Sequence, residues 1–426
     1  MRAPVTRATV EPDIDPHAPE PQVPAEGIRP RLTLSLLSAQ HALIHGQSAL
    51  LPLVYLAVID EMGVTAATIV ILSTVGGIAS GLLQYAFGAL TRYIGRPVLL
   101  GGGGLLTGAG MAAQAVTASF AAFAVANVAS RIGGAPQHPV GNALLAEQFP
   151  VSRTGTAIAA HVAGGNVGTV VVGATAAIAI ASLGWRASVA VLGVAALVVA
   201  IAILAFVRER STTADARADG PVRAMYRRVI ADRDLRWLFA ASVLGGGSRG
   251  LGVLNIFVPL YLDQVVGLDA PTIGAMYAVL LVMSVPGPLA AGWLSDRIGR
   301  RPVIVGVYLA GAGSIVAFVL AGDDVLRLWI GIVLLSAFSF VESPQLQALL
   351  ADVTPRPLRD TAFATYFALA FGVGSCWGIV YGLLIDLGGS GNGLGLVFWV
   401  MAAASVLAAV ATLRIRIPPR GQTLPM

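Results

Sequence analysis

Gly292-Trp-Leu-Ser-Asp-Arg-Ile-Gly-Arg-Arg-Pro302 is a short charged stretch set between two long apolar runs, near 271–294 and 303–321. A helix needs about 20 apolar residues to cross a bilayer, and each run supplies them. Related residues, Gly88-Ala-Leu-Thr-Arg-Tyr-Ile-Gly-Arg-Pro97, stand 204 positions upstream, again between apolar runs. A second pair follows: Gln137–Glu147 lines up with Glu342–Asp352 at an offset of 205, the additional Arg301 accounting for the change. The chain is therefore an internal repeat of two membrane-embedded halves.

Twelve apolar segments occur in all, near 33–58, 66–90, 98–117, 119–147, 155–182, 187–207, 237–262, 271–294, 303–321, 326–350, 361–385 and 394–413. A helix satisfies its own backbone in hydrocarbon, so each segment is expected to be a transmembrane helix. The expected fold is all-α: a six-helix bundle over 32–207, a cytoplasmic linker over 208–236, and a second six-helix bundle over 237–416. Residues 1–31 and 417–426 are expected to be tails. The first is rich in proline and carboxylates, lacks an apolar signal core, and reads as disordered.

Composition excludes several functions. Of 426 residues, 56% are hydrophobic and 12% charged, with mean hydropathy +0.79. A soluble domain carries roughly 25% charged residues, so a water-soluble enzyme is excluded. All 27 basic residues are Arg. Without Lys there is no P-loop lysine for ATP and no amine for a Schiff base. Cys376 is the sole cysteine and permits neither an internal disulfide nor a thiolate metal cage. With no nucleophile–base pair in view, neither an enzyme nor a cofactor is expected.

The Arg residues also set the topology. With both termini cytoplasmic, 23 of the 27 fall on the inner side, and the outer loops receive only Arg186 and Arg327. This obeys the positive-inside rule and places a multi-pass protein in the cytoplasmic (inner) membrane. The basic charge is thereby explained by topology, with no nucleic-acid partner.

Gly292, Asp296, Arg297, Gly299, Arg300 and Arg301 match the G-x-L-x-D-R-x-G-R-R loop of the major facilitator superfamily, which the chain resembles over roughly 32–416. The resemblance implies alternating access by two six-helix bundles, a functional monomer, and a cavity lined by the first, fourth, seventh and tenth spans. The first-half copy keeps Gly88, Gly95 and Arg96 but has Arg92 at the Asp position and Pro97 at a basic one. The run from Arg131 to Gly168 resembles the fosmidomycin-resistance efflux members. The family's antiporter signature expects Gly-Pro in the fifth span, where this chain has Gly168-Thr169.

Polar side chains inside a bilayer are costly and mark candidate sites. On the fourth span, Arg131, His138 and Asn142 share a helical face. With Arg249, Asn255, Gln345 and Gln47 they are the candidate substrate contacts. Arg131 and Arg249, one from each half, would clamp an anionic group. Glu342, His41, His45 and His161 are the candidates for carrying a proton. His41 and His45 are one turn apart, as in a two-His metal site, but no further ligand is evident and no metal is expected. The plainer readings are structural: Arg131 orienting helices, Arg249 satisfying carbonyls freed around Gly245–Gly252, Glu342 in a fixed ion pair, and histidines as interhelical hydrogen bonds. The leading expectation is proton-coupled antiport exporting a small organic anion or drug. Symport importing a metabolite anion is the alternative, and a non-transporting membrane receptor a minor one.

Overall fold

The computed structural model describes residues 27–91, 93–209, 222–355 and 358–416. The expectations for residues 1–26, for Arg92, for 210–221 of the linker and for 417–426 lie outside the described residues. Sixteen α-helices follow in order: α1 (Pro30–Met62), α2 (Ala66–Leu90), α3 (Arg96–Ala115), α4 (Phe120–Gly133), α5 (Gln137–Gln148), α6 (Val151–Phe206), α7 (Val222–Ala231), α8 (Arg233–Gly245), α9 (Asn255–Tyr261), α10 (Ala270–Val282), α11 (Pro286–Ile298), α12 (Arg300–Val319), α13 (Val325–Phe338), α14 (Glu342–Val353), α15 (Arg359–Phe367) and α16 (Trp377–Leu413).

Nine of the described helices are long and apolar enough to cross a membrane, ten if the bent pair Arg233–Ser248 and Gly250–Val266 is joined across its 47° angle. Twelve crossings emerge from where helices turn or break. The 51-residue, largely apolar stretch Thr156–Phe206 would reach about 77 Å at 1.5 Å per residue, far beyond one hydrocarbon thickness of ~30 Å. The chain reverses there at Gly184 (φ 80, ψ 157), and α16 likewise at Gly389 (φ 70, ψ 167). The fourth, eighth and tenth spans are each two helices, α4–α5, α10–α11 and α13–α14. Their continuity was expected from hydropathy. It is interrupted because a proline near the start of each second helix removes a backbone donor from the preceding turn.

The breaks repeat with the sequence. Residues 134–136 and 339–341 interrupt the fourth and tenth spans, and Pro139 and Pro344 stand three residues into the helices that follow. The charged loops repeat too. Arg96 pairs with Glu147, and its counterpart Arg300 pairs with Asp352 at 3.2 Å. Arg300 also reaches Asp296 at 3.0 Å, whereas Arg96 holds Glu209 at 3.6 Å. The Glu209 carboxylate accepts the Arg96 backbone N–H at the start of α3, where the helix dipole favours negative charge.

Three hydrophobic clusters show how the halves meet. One contains only first-half residues, including Leu37, Leu144 and Ile203. A second contains only residues from 229 onward, including Leu238, Tyr308 and Leu350. The third joins both halves: Leu50, Val54 and Val58 of α1 pack with Phe257, Leu260 and Tyr277. The halves are thus sealed together at their Arg-poor ends, while at the Arg-rich ends each keeps its own core. On the outer face, Val191, Val194, Val198 and Ile201 are more than half exposed, as side chains against lipid would be.

In the second-half loop Gly299 has φ 99 and ψ 154, a region that is essentially glycine-only. Gly299→Ala is expected to destabilise the protein by about 1–3 kcal/mol, read as a lower unfolding midpoint in detergent. Gly306→Ala, inside α12 with open space around its Cβ position, should leave that midpoint unchanged or raise it.

Candidate functional site

Between the halves lies a cavity of about 210 Å³. First-half walls come from α1 (His45, Ser48), α2 (Ser73, Thr74, Gln84), Arg131 and His138. Second-half walls come from the irregular segment 246–257, carrying Arg249 and Asn255, and from Phe371 to Tyr381. The expected spans one, four and seven take part. The tenth does not line the cavity; the second and eleventh stand there instead. Their contribution is uncharged (Ser73, Thr74, Gln84, Ser375, with Phe371 and Tyr381), which hydropathy reads as ordinary helix.

Arg131 occupies the last turn of α4, where the helix dipole favours a cation. Its Nη1 donates to Ser73 Oγ at 3.4 Å. Gly76 of α2 lets the side chain pass, since a Cβ there would sit 2.6 Å from Arg131 Cδ. Among the described residues no carboxylate pairs with Arg131. A guanidinium on a cavity wall without a carboxylate partner has donors free for charge-assisted hydrogen bonds.

Arg249 differs. It sits in extended backbone (φ −64, ψ 137) between a 3₁₀ turn and a π-helical turn. Its Nε donates to Glu342 Oε1 at 2.9 Å, Nη1 to Ala370 O at 3.0 Å, and Nη2 to Ser242 O at 3.4 Å. The guanidinium carbon lies 5.1 Å from the centroid of Phe371. Of the two arginines expected to form a clamp, both reach the cavity, but Arg249 is paired with Glu342 and only Arg131 is without a carboxylate partner. Glu342 is the first residue of α14, 4% exposed, and stands behind Arg249 instead of on the cavity wall. Its Oε2 is buried without a hydrogen-bond partner. Such a pair is held by geometry against a large desolvation penalty, and removing one partner is strongly destabilising.

Other expected contacts move elsewhere. Gln47 donates to Ser130 Oγ within the first half. Asn142 lies off the cavity, as does Gln345, whose Nε2 faces Pro288 O at 3.5 Å. Asn255 does line the cavity, but both ends of its amide are engaged. Oδ1 accepts from Gly252 N at 2.7 Å, and Nδ2 donates across the halves to Ser48 O at 2.9 Å. Tyr277 makes a second crossing, to Ala49 O at 2.7 Å. These two residues lock the seal.

The four histidines gather as one group. The His41 ring centroid lies 4.5 Å from His45, 4.8 Å from His138 and 4.5 Å from His161. His45 and His138 line the cavity, and His41 and His161 are buried behind them. His138 also stacks on Phe367 at 5.8 Å, across the halves.

Comparison with known proteins agrees with this architecture. The sequence profile described as Major Facilitator Superfamily matches residues 36–379 and 250–425. The chain is 25% identical to the "Probable L-galactonate transporter" of Escherichia coli (strain K12) over 58% of this chain and 58% of that relative, so it spans under two thirds of that protein's length. It is 26% identical to the "Fosmidomycin resistance protein" of the same strain over 83% of this chain and 86% of the relative. The crystal structure of a D-xylose-proton symporter superposes with TM-score 0.74 over 93% of this chain and 100% of that one, at 15% identity.

Each hydrogen bond across the seal contributes about 0.5–1.5 kcal/mol. Asn255→Ala and Tyr277→Phe are therefore each expected to raise access from the Arg-poor side by roughly 2- to 10-fold. Alkylation rates at a cysteine placed at Val253, in a Cys376→Ser background, measure this.

Proposed function

Because the chain belongs to the Major Facilitator Superfamily, we propose that it moves a small organic anion together with a proton, the two halves rocking around the central cavity. The observation that carries this reading is the contrast between the two cavity arginines. Arg131 is without a carboxylate partner and would hold the anion through charge-assisted hydrogen bonds. Arg249 is tied to Glu342, whose free Oε2 is the oxygen left for a proton.

The coupling follows from that arrangement. A proton on Glu342 removes its charge, and Arg249, already on the cavity wall, becomes a second anion ligand. Proton and anion then favour each other's binding, which by linkage is reciprocal. Two solutes that bind together travel together, so the pair argues for symport. An antiporter needs the reverse, competition between proton and substrate. Gly168-Thr169, in place of the family's antiporter Gly-Pro, agrees with symport. The carboxylate named in the L-galactonate relative supports an organic anion as the substrate.

The second reading is proton antiport exporting an anion or drug. The sequence puts this first, and the match to the fosmidomycin resistance protein over 83% of the chain supports it. In either reading the Arg-rich ends face the cytoplasm, since Arg resists translocation. The seal at the Arg-poor ends supports reading this as a state entered from the cytoplasmic side of the inner membrane.

Proteoliposomes loaded with a hydroxy-acid or dicarboxylate panel test the roles. Arg131→Gln should weaken anion affinity by about 1.5–3 kcal/mol, roughly 10- to 100-fold. Glu342→Gln should keep anion-for-anion exchange but lose accumulation driven by a pH gradient. Accumulation against, instead of along, an inward proton gradient would transfer the assignment to antiport.

A further inference from the structure

The histidine group has a geometry that neither the fold nor the anion reading requires. One ring nitrogen from each of His41, His45 and His138 lies within 4.8 Å of the others. His41 and His45 are i and i+4 on α1, and His138 comes from the first turn of α5. The third ligand missing from the sequence spacing is thus supplied by the break at 134–136, which turns α5 toward α1.

The hydrogen bonds behind the rings assign their tautomers. His41 Nδ1 lies 3.0 Å from the carbonyl oxygen of His161, which can only accept, so Nδ1 carries the proton. Nε2 is then a bare lone pair, and it is buried with no partner. His45 Nδ1 lies 3.3 Å from Thr169 Oγ1. That hydroxyl donates its own proton to Gly165 O at 3.4 Å, so it accepts from His45 and leaves His45 Nε2 bare as well. A histidine that donates one N–H to a carbonyl or hydroxyl and presents the other nitrogen unprotonated is how proteins prepare an imidazole for a metal. Gly165 keeps the space open, since a Cβ there would lie 2.9 Å from the His41 ring.

We propose that His41, His45 and His138 form a binding site for a divalent transition-metal cation of the zinc, nickel or cobalt class. Imidazole suits these ions. Metal–nitrogen bonds of about 2.0–2.1 Å put tetrahedral donors roughly 3.3 Å apart, so small swings of the three rings close the site. His41 stands at the back while His45 and His138 line the cavity, which directs the fourth coordination position into it. Three neutral ligands leave the full charge of the cation in place, and the open position calls for an anionic oxygen donor. The site stands independently of the proton and direction assignments above.

The test uses full-length protein purified in detergent through a tag without histidines, stripped by chelator, and titrated with Zn(II). One zinc per chain is expected. His41→Asn, His45→Asn and His138→Asn should each weaken binding at least ~10-fold, and Thr169→Val by about 10-fold through loss of the supporting hydroxyl. His17→Ala, outside the proposed ligand set, should bind as wild type. Co(II) bound to the wild type should show the intense visible bands of four-coordinate geometry, a readout that does not depend on any variant folding. No saturable binding by folded wild type, the weak bands of a six-coordinate ion, or undiminished binding in His138→Asn would overturn the proposal.

Discussion

In hydrocarbon, a backbone N–H or C=O without a partner costs several kcal/mol, so irregular backbone survives only where protein or a cavity surrounds it. That constraint locates the site. The described chain departs from α-helix mid-membrane at 134–136, 246–254, 339–341 and 368–376, besides the break at 283–285 in the eighth span, and the first, second and fourth of these four supply cavity-lining residues. The third, pseudo-equivalent to the first, ends at Glu342 directly behind Arg249. Prolines and glycines that weaken the helices thus also aim the polar side chains.

Electrostatics then divides the arginines. A charge at mid-membrane depth is tolerated only with compensation. Arg249 finds it in Glu342 and two carbonyls, and Glu342 gains further from standing at the start of α14, where the helix dipole is positive. Arg131 has Ser73, the end of its own helix and the cavity. On the proposed reading, an anion entering the cavity would complete what the protein leaves unbalanced there. The two sites share a wall through Phe371, which lies over Arg249 and stacks beside His138 at 6.5 Å.

The structure shows a seal between the halves at the Arg-poor ends. The apolar cluster uniting α1 with α9 and α10 is reinforced by Asn255 and Tyr277, which donate to successive carbonyls of α1 at Ser48 and Ala49. Pro52 explains the first acceptor: lacking an N–H, it leaves the Ser48 carbonyl free for Asn255, whereas Ala49 O accepts from Tyr277 in addition to its helix partner. At the opposite ends, Arg96–Glu147 and Arg300–Asp352 each close within one half, so neither pair ties the halves together.

Much of this was legible from the residues in order. Twelve apolar runs, an Arg bias of 23 to 2 and a repeat at 204–205 positions report local helix length, side preference and duplication, all of which are properties of nearby residues. The candidates divide by where the packed helices put them. Arg131, His45, His138, Arg249 and Asn255 reach the cavity, whereas Gln47, Asn142, Gln345 and Glu342 do not. Helical periodicity says which residues share a face but not which neighbour that face meets. Only the packed structure decided that Glu342 would neutralise Arg249, leaving Arg131 alone. Only packing brought His138 against two histidines nearly a hundred positions away, because the bend of a proline-broken span is settled by the helices it leans on.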